Sequence, residues 1–141
     1  MYVRPIQCND YYKNYLSLLE QLTIIEKEKI SYNDFEIFVN NLSHLHSIIV
    51  IECNNKIIAT GTLLIENKII HNMGKVGHIE DIVTDKDYRS KGLGRKIIES
   101  LIQISQECNC YKLILNCSEE NVGFYEKNTF LKREIEMVKY L

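Results

Sequence analysis

No apolar run in this 141-residue chain approaches the ~20 residues that a membrane-spanning helix needs. Met1 also leads straight into Tyr2-Val3-Arg4-Pro5-Ile6, without the basic and apolar stretches of a secretory leader. The expectation is a soluble, cytoplasmic protein with no membrane partner. An excess of positive charge is missing too: 17 Lys and Arg stand against 19 Asp and Glu, for a net charge of −2, which argues against a general nucleic-acid or anionic-membrane binder. The five cysteines, Cys8, Cys53, Cys108, Cys110 and Cys117, are odd in number and contain no Cys-x-x-Cys, so neither a zinc ribbon nor a complete disulfide framework is expected. His44-x-His46 has no cysteine or carboxylate beside it, and no metal is expected. Repeats, linkers and low-complexity stretches are absent. A hydrophobic content of 45% over this length can build one sizeable core and hardly two, so residues 1–141 are read as a single domain.

The single proline, Pro5, lies in a first strand Tyr2–Gln7 and implies an edge position or a strand end. Asn9 or Asp10 can cap a helix whose apolar residues Tyr12, Tyr15, Leu16, Leu19 and Leu22 carry it to about Ile25. Ser31-x-x-Asp34 opens a second helix with Phe35, Phe38, Val39 and Leu42 on one side. Ile48–Ile51 and Lys56–Ile65, separated by Asn54-Asn55, read as a hairpin. The strand pattern restarts briefly at Lys68–Asn72, and strands Val76–Thr84, Lys112–Cys117 and Glu134–Tyr140 follow, with a long helix to Glu107 and a short one at Asn121–Lys127 between them. The order β-α-α-β-β-β-α-β-α-β predicts an α/β fold with one mixed sheet flanked by helices on both faces.

The segment from Gly77 to Ser105 organises the rest. An apolar strand bearing Glu80-Asp81 runs into Arg89-Ser90-Lys91-Gly92-Leu93-Gly94-Arg95, which opens an amphipathic helix with Leu93, Ile97, Ile98, Leu101 and Ile102. Arg-x-x-Gly-x-Gly at a helix start can turn successive backbone N–H groups toward an anion, and the helix N-terminus adds about half a positive charge. The spacing is neither that of a Walker loop nor Gly-x-Gly-x-x-Gly.

A second block one helix downstream, YKLILNCSEENVGFYEKNTF at Tyr111–Phe130, completes a pattern. Together the two blocks resemble the GNAT superfamily of acetyl-coenzyme A-dependent N-acetyltransferases. The runs KIIH, GHIEDIVTD and NCYKLILNCSEENVGFYEK resemble, within it, the eukaryotic-type glucosamine-6-phosphate N-acetyltransferase family. The resemblance is dense from Lys68 to Lys127. It implies a GNAT-like fold and transfer of acetyl from acetyl-coenzyme A to the 2-amine of glucosamine 6-phosphate, a step toward UDP-N-acetylglucosamine.

The resemblance also implies site roles. Ser90, Leu93 and the rest of the Arg89–Arg95 loop would hold the pyrophosphate of acetyl-coenzyme A. Its pantetheine arm would lie along Ile82, Val83 and Thr84, where the family's strand bulges and a freed Val83 N–H can polarise the thioester carbonyl; for the Val83 side chain, plain core is the alternative. Tyr125 matches the family's acid, and a phenol of pKa about 10 can protonate a leaving thiolate. Asn121 would bond the pantetheine, cap the short helix, or both. Glu80 is the base or amine-orienting residue, and Asp81 should point the other way by strand alternation. Asn116 takes a coenzyme-side position where the family often has an acid, so it can hydrogen-bond but not accept a proton as a base. On the acceptor side the family's pattern falls on Thr23, on Lys68, Ile69, Ile70 and His71, and on Tyr111-Lys112 of a partner chain, which makes the site a composite of a homodimer. Where the family can use an Arg of the last strand, this chain has Tyr140.

Two other functions use the same cradle. A GNAT enzyme acting on a protein N-terminus, lysine or polyamine would want an acidic acceptor groove, whereas Lys68, His71 and Lys112 suit an anionic acceptor. An acetyl-coenzyme A sensor without activity would have little use for Tyr125 and Glu80.

Overall fold

The computed structural model describes residues Met1–Leu141. Five strands, β1 (Val3–Pro5), β2 (His46–Cys53), β3 (Lys56–Asn67), β4 (Lys75–Thr84) and β5 (Cys110–Ile114), form one sheet in sequence order. The first four run antiparallel and β5 is parallel to β4. A parallel neighbour requires a crossover, here supplied by the long helix Leu93–Glu107. Pro5 sits on the edge strand β1, where its missing N–H costs no ladder bond. Asn54 and Asn55, both at positive φ, make the β2–β3 turn.

Helices cover both faces. α1 (Tyr15–Leu19) and α2 (Tyr32–Asn40) pack on one, where Leu18, Phe35, Val50, Ile57 and Val83 form a core. On the other face, the helix Leu93–Glu107 lays Ile97, Ile98 and Leu101 against Ile51, Ile58, Leu63 and Ile79. The capping box at the start of α2 is real: the Ser31 hydroxyl accepts from the Asp34 N–H at 3.1 Å, and the Asp34 carboxylate accepts from the Ser31 N–H at 2.9 Å.

Four expectations are corrected. The first helix is broken into a 3₁₀ turn, Cys8–Tyr12, and the short α1, because Asn14 takes a left-handed conformation (φ 66°) and Asp10 is consumed in an ion pair with Arg4. Lys68–Asn72 is no strand: α3 (Ile70–Met73) is a tight turn in which His71, Asn72 and Met73 all have positive φ, reversing the chain between β3 and β4. β5 ends at Ile114, three residues short of Cys117. Glu134–Tyr140 pairs with nothing in this chain, and Ile135, Met137 and Tyr140 are exposed. No helix is long and apolar enough to cross a membrane.

The long helix crosses β3 at Gly61, where a Cβ would lie 2.5 Å from both Ile82 Cδ1 and Ile97 Cγ2. Overpacking at such a contact costs about 1–3 kcal/mol. Gly61→Ala should lower the urea midpoint by that loss divided by the m-value, with the m-value unchanged; a midpoint equal to that of the wild type would mean that the helix is not seated here.

Candidate active site

The site is built where β4 stops behaving as a regular strand. Opposite Thr60–Thr62 the register slips: Thr60 faces Val83 and Thr62 faces Glu80, so two residues of β4, Asp81 and Ile82, oppose Gly61 alone. Asp81 takes up the extra length at φ 51°, a left-handed conformation that Asp tolerates better than most residues. Side-chain alternation fails at this bulge, and Glu80 and Asp81 are both exposed instead of dividing between surface and core. Asp81 also lies close enough to the buried Tyr15 to help burial push its phenol up to about 12. Beyond the bulge the side chain of Ile82 packs with the long helix, while Val83 is core on the opposite face and pairs with Thr60, so its N–H turns to β3 and is not the freed group expected, and the N–H beside it that faces the open edge is that of Thr84.

β4 and β5 pair only from Lys75 to His78. From Ile79 to Thr84 the β5 side of β4 has no strand neighbour, and the two strands part like an opened V. Such a gap offers backbone groups to an extended ligand laid in as an extra strand.

At the wide end stands the anion loop. After Thr84 a 3₁₀ turn (Lys86–Tyr88) leads to Ser90 (φ 62°) and Gly92 (φ 75°), and α4 (Leu93–Glu107) begins. No side chain caps α4, and the first bond of its ladder is that from the Lys96 N–H to the Gly92 carbonyl. The N–H groups of Leu93, Gly94 and Arg95 are thus free by helix geometry, with Arg89 and Lys91 exposed on the same loop, while the Arg95 side chain turns along the helix to pair with Glu99 at 2.7 Å. A Cβ at Gly92 would meet no protein atom within 4 Å, so the demand for glycine there is its backbone conformation. A Cβ at Gly94 would stand 3.2 Å from Phe124 Cζ, and this contact seats α5 (Val122–Glu126) against the loop. Both glycines therefore shape the cradle, Gly94 through its neighbour.

Tyr125 lies on α5, half-buried and edge-on to Phe124 and Phe130, with ring centroids 5.0 and 6.0 Å away. Burial pushes its phenol above the ordinary value, with Cys117 adding in the same direction, so the proton is held through neutral and mildly alkaline pH. Asn116 and Asn121 are exposed on the segment between β5 and α5, beside the open V. Asn121 caps nothing with its side chain.

The acceptor-side residues are spread over three places. Thr23 is exposed in the segment after α1. Lys68 is paired with Glu66 at 2.9 Å, and Glu66 also accepts from His78 at 3.1 Å. Ile69 and Ile70 are exposed on the left-handed turn, and the His71 ring lies against that of Tyr111 of the same chain, 4.3 Å between centroids. The sequence resemblance divides these two residues between chains; the fold brings them together within one. Lys112, exposed next to Tyr111, has no carboxylate partner.

Sequence reasoning missed the anchor of the anion loop. Asp85, buried at the end of β4, pairs with Lys56 at 2.7 Å, accepts the Asp87 N–H at 3.0 Å, and donates its own N–H to the Ile58 carbonyl at 2.8 Å. Lys56 and Lys91 both lie over the Tyr88 ring, at 5.8 and 4.8 Å. An Asp directly after an apolar strand was the only signal. Burial alone would raise the Asp85 carboxyl, but Lys56 and the Asp87 N–H outweigh it and hold it below the usual range. A depressed carboxyl contributes stability above its unfolded pKa, about 3.9, and loses it as pH falls through the folded value. Lys56→Met should therefore destabilise by about 1–3 kcal/mol at pH 7, discounted because Lys56 is partly exposed. The deficit should shrink at pH 3, where the carboxyl of the variant is protonated. Denaturant melts at the two pH values measure both; a deficit independent of pH would remove the ion pair as its cause.

Comparison with known proteins agrees with this geometry. Residues 8–130 match the model of the acetyltransferase (GNAT) family. The chain is 44% identical over 140 residues to glucosamine 6-phosphate N-acetyltransferase 1 of Dictyostelium discoideum, covering 98% of this chain and 89% of that protein. It is 43% identical over 139 residues to glucosamine 6-phosphate N-acetyltransferase of Candida albicans, covering 96% and 92%. The crystal structure of glucosamine-6-phosphate N-acetyltransferase from Arabidopsis thaliana superposes with a TM-score of 0.94 at 39% identity, over 98% of this chain and 96% of that one. With the bulged strand, the open V and the anion loop in place, the chain belongs to the acetyltransferase (GNAT) family.

Proposed function

We propose that this chain, as a single domain spanning residues 1–141, transfers acetyl from acetyl-coenzyme A to the 2-amine of glucosamine 6-phosphate. The product is N-acetylglucosamine 6-phosphate, which feeds UDP-N-acetylglucosamine synthesis. The observation that carries the acceptor assignment is the unpaired Lys112 beside the stacked His71 and Tyr111 at the β3–β4 end, with Lys68 held nearby by Glu66, supported by relatives of that name over nearly the whole chain. A polyamine or basic-peptide acceptor would meet repulsion there. Five free cysteines fit a reducing, cytoplasmic setting.

Acetyl-coenzyme A supplies an activated thioester when bound. The free N–H groups of Leu93, Gly94 and Arg95, with Arg89, Ser90, Lys91 and Gly92, suit its pyrophosphate. The unpaired edge of β4 at Ile82–Thr84 suits its pantetheine arm, with Asn116 and Asn121 on the far wall. The edge-facing N–H beside Val83, that of Thr84, meets the carbonyl oxygen, since Val83 itself is paired with Thr60 on β3. Tyr125 keeps its proton and donates it toward the departing sulfur. Glu80, exposed beside the bulge, orients the amine and takes its proton, with Asp81 beside it on the accessible side. Thr23, Ile69 and Ile70 complete the acceptor wall.

Tyr125→Phe should lower kcat by about 10²–10⁴-fold with little change in coenzyme A affinity, because the phenol acts on charge that develops only as sulfur leaves. A kcat within twofold of the wild type would return Tyr125 to packing.

The same reading makes the enzyme a homodimer with shared sites. β5 is an edge strand, and residues 131–141 expose Ile135, Met137 and Leu141 at every second or fourth position without a partner in their own chain. Such an edge and such a segment complement each other across two copies. With Tyr111 engaged by its own His71, the unpaired Lys112 is the cation we assign to the other chain's acceptor phosphate. Lys112→Ala should raise KM for glucosamine 6-phosphate about tenfold, a charge-assisted contact being worth roughly 1.5–3 kcal/mol. Co-expressed Lys112→Ala and Tyr125→Phe chains should regenerate one intact site per heterodimer. An active wild-type monomer, or heterodimers without recovered activity, would refute the shared site.

A further inference from the structure

The segment from Glu20 to Glu26 is held almost entirely by itself. Its backbone bonds are local, from Glu20 to Leu16, Gln21 to Leu18, and Leu22 and Thr23 to Leu19. Lys27 pairs with Glu20 at 2.9 Å and donates to the Ser17 hydroxyl at 2.9 Å, again within the segment's own neighbourhood. Ile24, at 92% exposure, makes no core. Gln21 alone reaches a distant part of the chain: its Oε1 accepts the Lys86 N–H at 2.8 Å, across 65 positions, and its side chain also hydrogen-bonds to the Asp85 carboxylate, helping to hold that carboxyl low.

The other end of that bond is firm. Lys86 follows Asp85, which is clamped by Lys56, the Asp87 N–H and the Ile58 carbonyl. Arg89 of the anion loop reaches back over the same turn, its Nε donating to the Thr84 carbonyl at 3.3 Å. The turn from Thr84 to Arg89 therefore touches the cradle at one end and, through Gln21, the segment bearing Thr23 at the other.

We propose that Gln21 is a positioning residue that couples the acceptor side of the site to the anion loop, so that coenzyme A in the cradle orders the Thr23 segment. The proposal rests on the acceptor reading of Thr23 given above. Occupancy of the cradle holds Arg89 and, through its bond to the Thr84 carbonyl, the far end of the turn, and the segment attached to that turn through the Gln21 amide loses its freedom. Coupling of this kind is reciprocal: the acceptor should tighten coenzyme A binding by the factor with which coenzyme A tightens the acceptor. A single neutral hydrogen bond limits that factor to about two- to tenfold.

The test compares wild type with Gln21→Met, which keeps the shape and removes the amide, and Lys86→Pro, which removes the donor N–H at the other end, at the first position of its 3₁₀ turn and after an extended Asp85. Hydrogen exchange at Gln21–Glu26 is followed with and without coenzyme A, a measurement that needs no acceptor sugar and stands even if the acetylated amine is another one. Coenzyme A should slow exchange of this segment about two- to tenfold in the wild type and leave both variants unchanged. By reciprocity both variants should bind coenzyme A more weakly, by up to the same factor. In turnover, Gln21→Met should raise KM for glucosamine 6-phosphate by a similar factor, with kcat within twofold of the wild type. Equal slowing in either variant, or no slowing in the wild type, would overturn the coupling. If exchange behaves as expected while KM does not move, the coupling stands and the placement of Thr23 at the acceptor falls.

Discussion

The site depends on one irregularity, the extra residue that β4 carries opposite Gly61. In a regular antiparallel ladder every backbone group of β4 would find a partner on both sides, and Glu80 and Asp81 would face opposite layers. The bulge bends the strand, and pairing with β5 stops at His78. That opens the edge from Ile79 to Thr84. The same bulge leaves Glu80 and Asp81 together on the accessible side, while Ile79 and Ile82 stay in the core with α4. An accessible pair of carboxylates and an unpaired backbone edge thus arise from one inserted residue.

Around it, charge is arranged so that each sign has a firm support. The anion loop owes its cations to the surface and its N–H groups to the start of α4, yet what fixes its position is the buried pair of Asp85 and Lys56 beneath it. On the acceptor side Glu66 plays a comparable part, holding Lys68 and His78 together and itself kept ionised by them, Lys68 most strongly. These carboxylates are supports for cations rather than reacting groups. The exposed Glu80 has no such cation beside it, which suits a group that must exchange a proton.

Much of this was legible in the residues. The hairpin at Asn54-Asn55, the α2 capping box and the 3.6-residue period of Leu93, Ile97, Ile98 and Leu101 are local signals, and local signals survive folding. The Arg89–Gly94 motif pointed to free N–H groups at the start of α4 for the same reason, since those groups depend on the residues of that start. The left-handed turn at His71–Met73 was misread as strand because His71 and Met73 give no turn signal, and what holds it is three backbone hydrogen bonds between Lys68 and Gly74 together with the stack of His71 on Tyr111.

By itself the sequence determined the element order, the amphipathic faces, the anion loop and the chemical types available to the site, because each rests on contacts within a few positions of the chain. Only the tertiary structure decided where β4 bulges and that Glu80 and Asp81 share a side, since a register slip is a property of two strands together. It also decided that Asp85 and Lys56 form the buried anchor and that Gln21 reaches Lys86, contacts spanning long separations that no local pattern encodes. The segment 131–141 has a strand's alternation and no strand to join, because its pairing energy has to come from an edge outside its own chain.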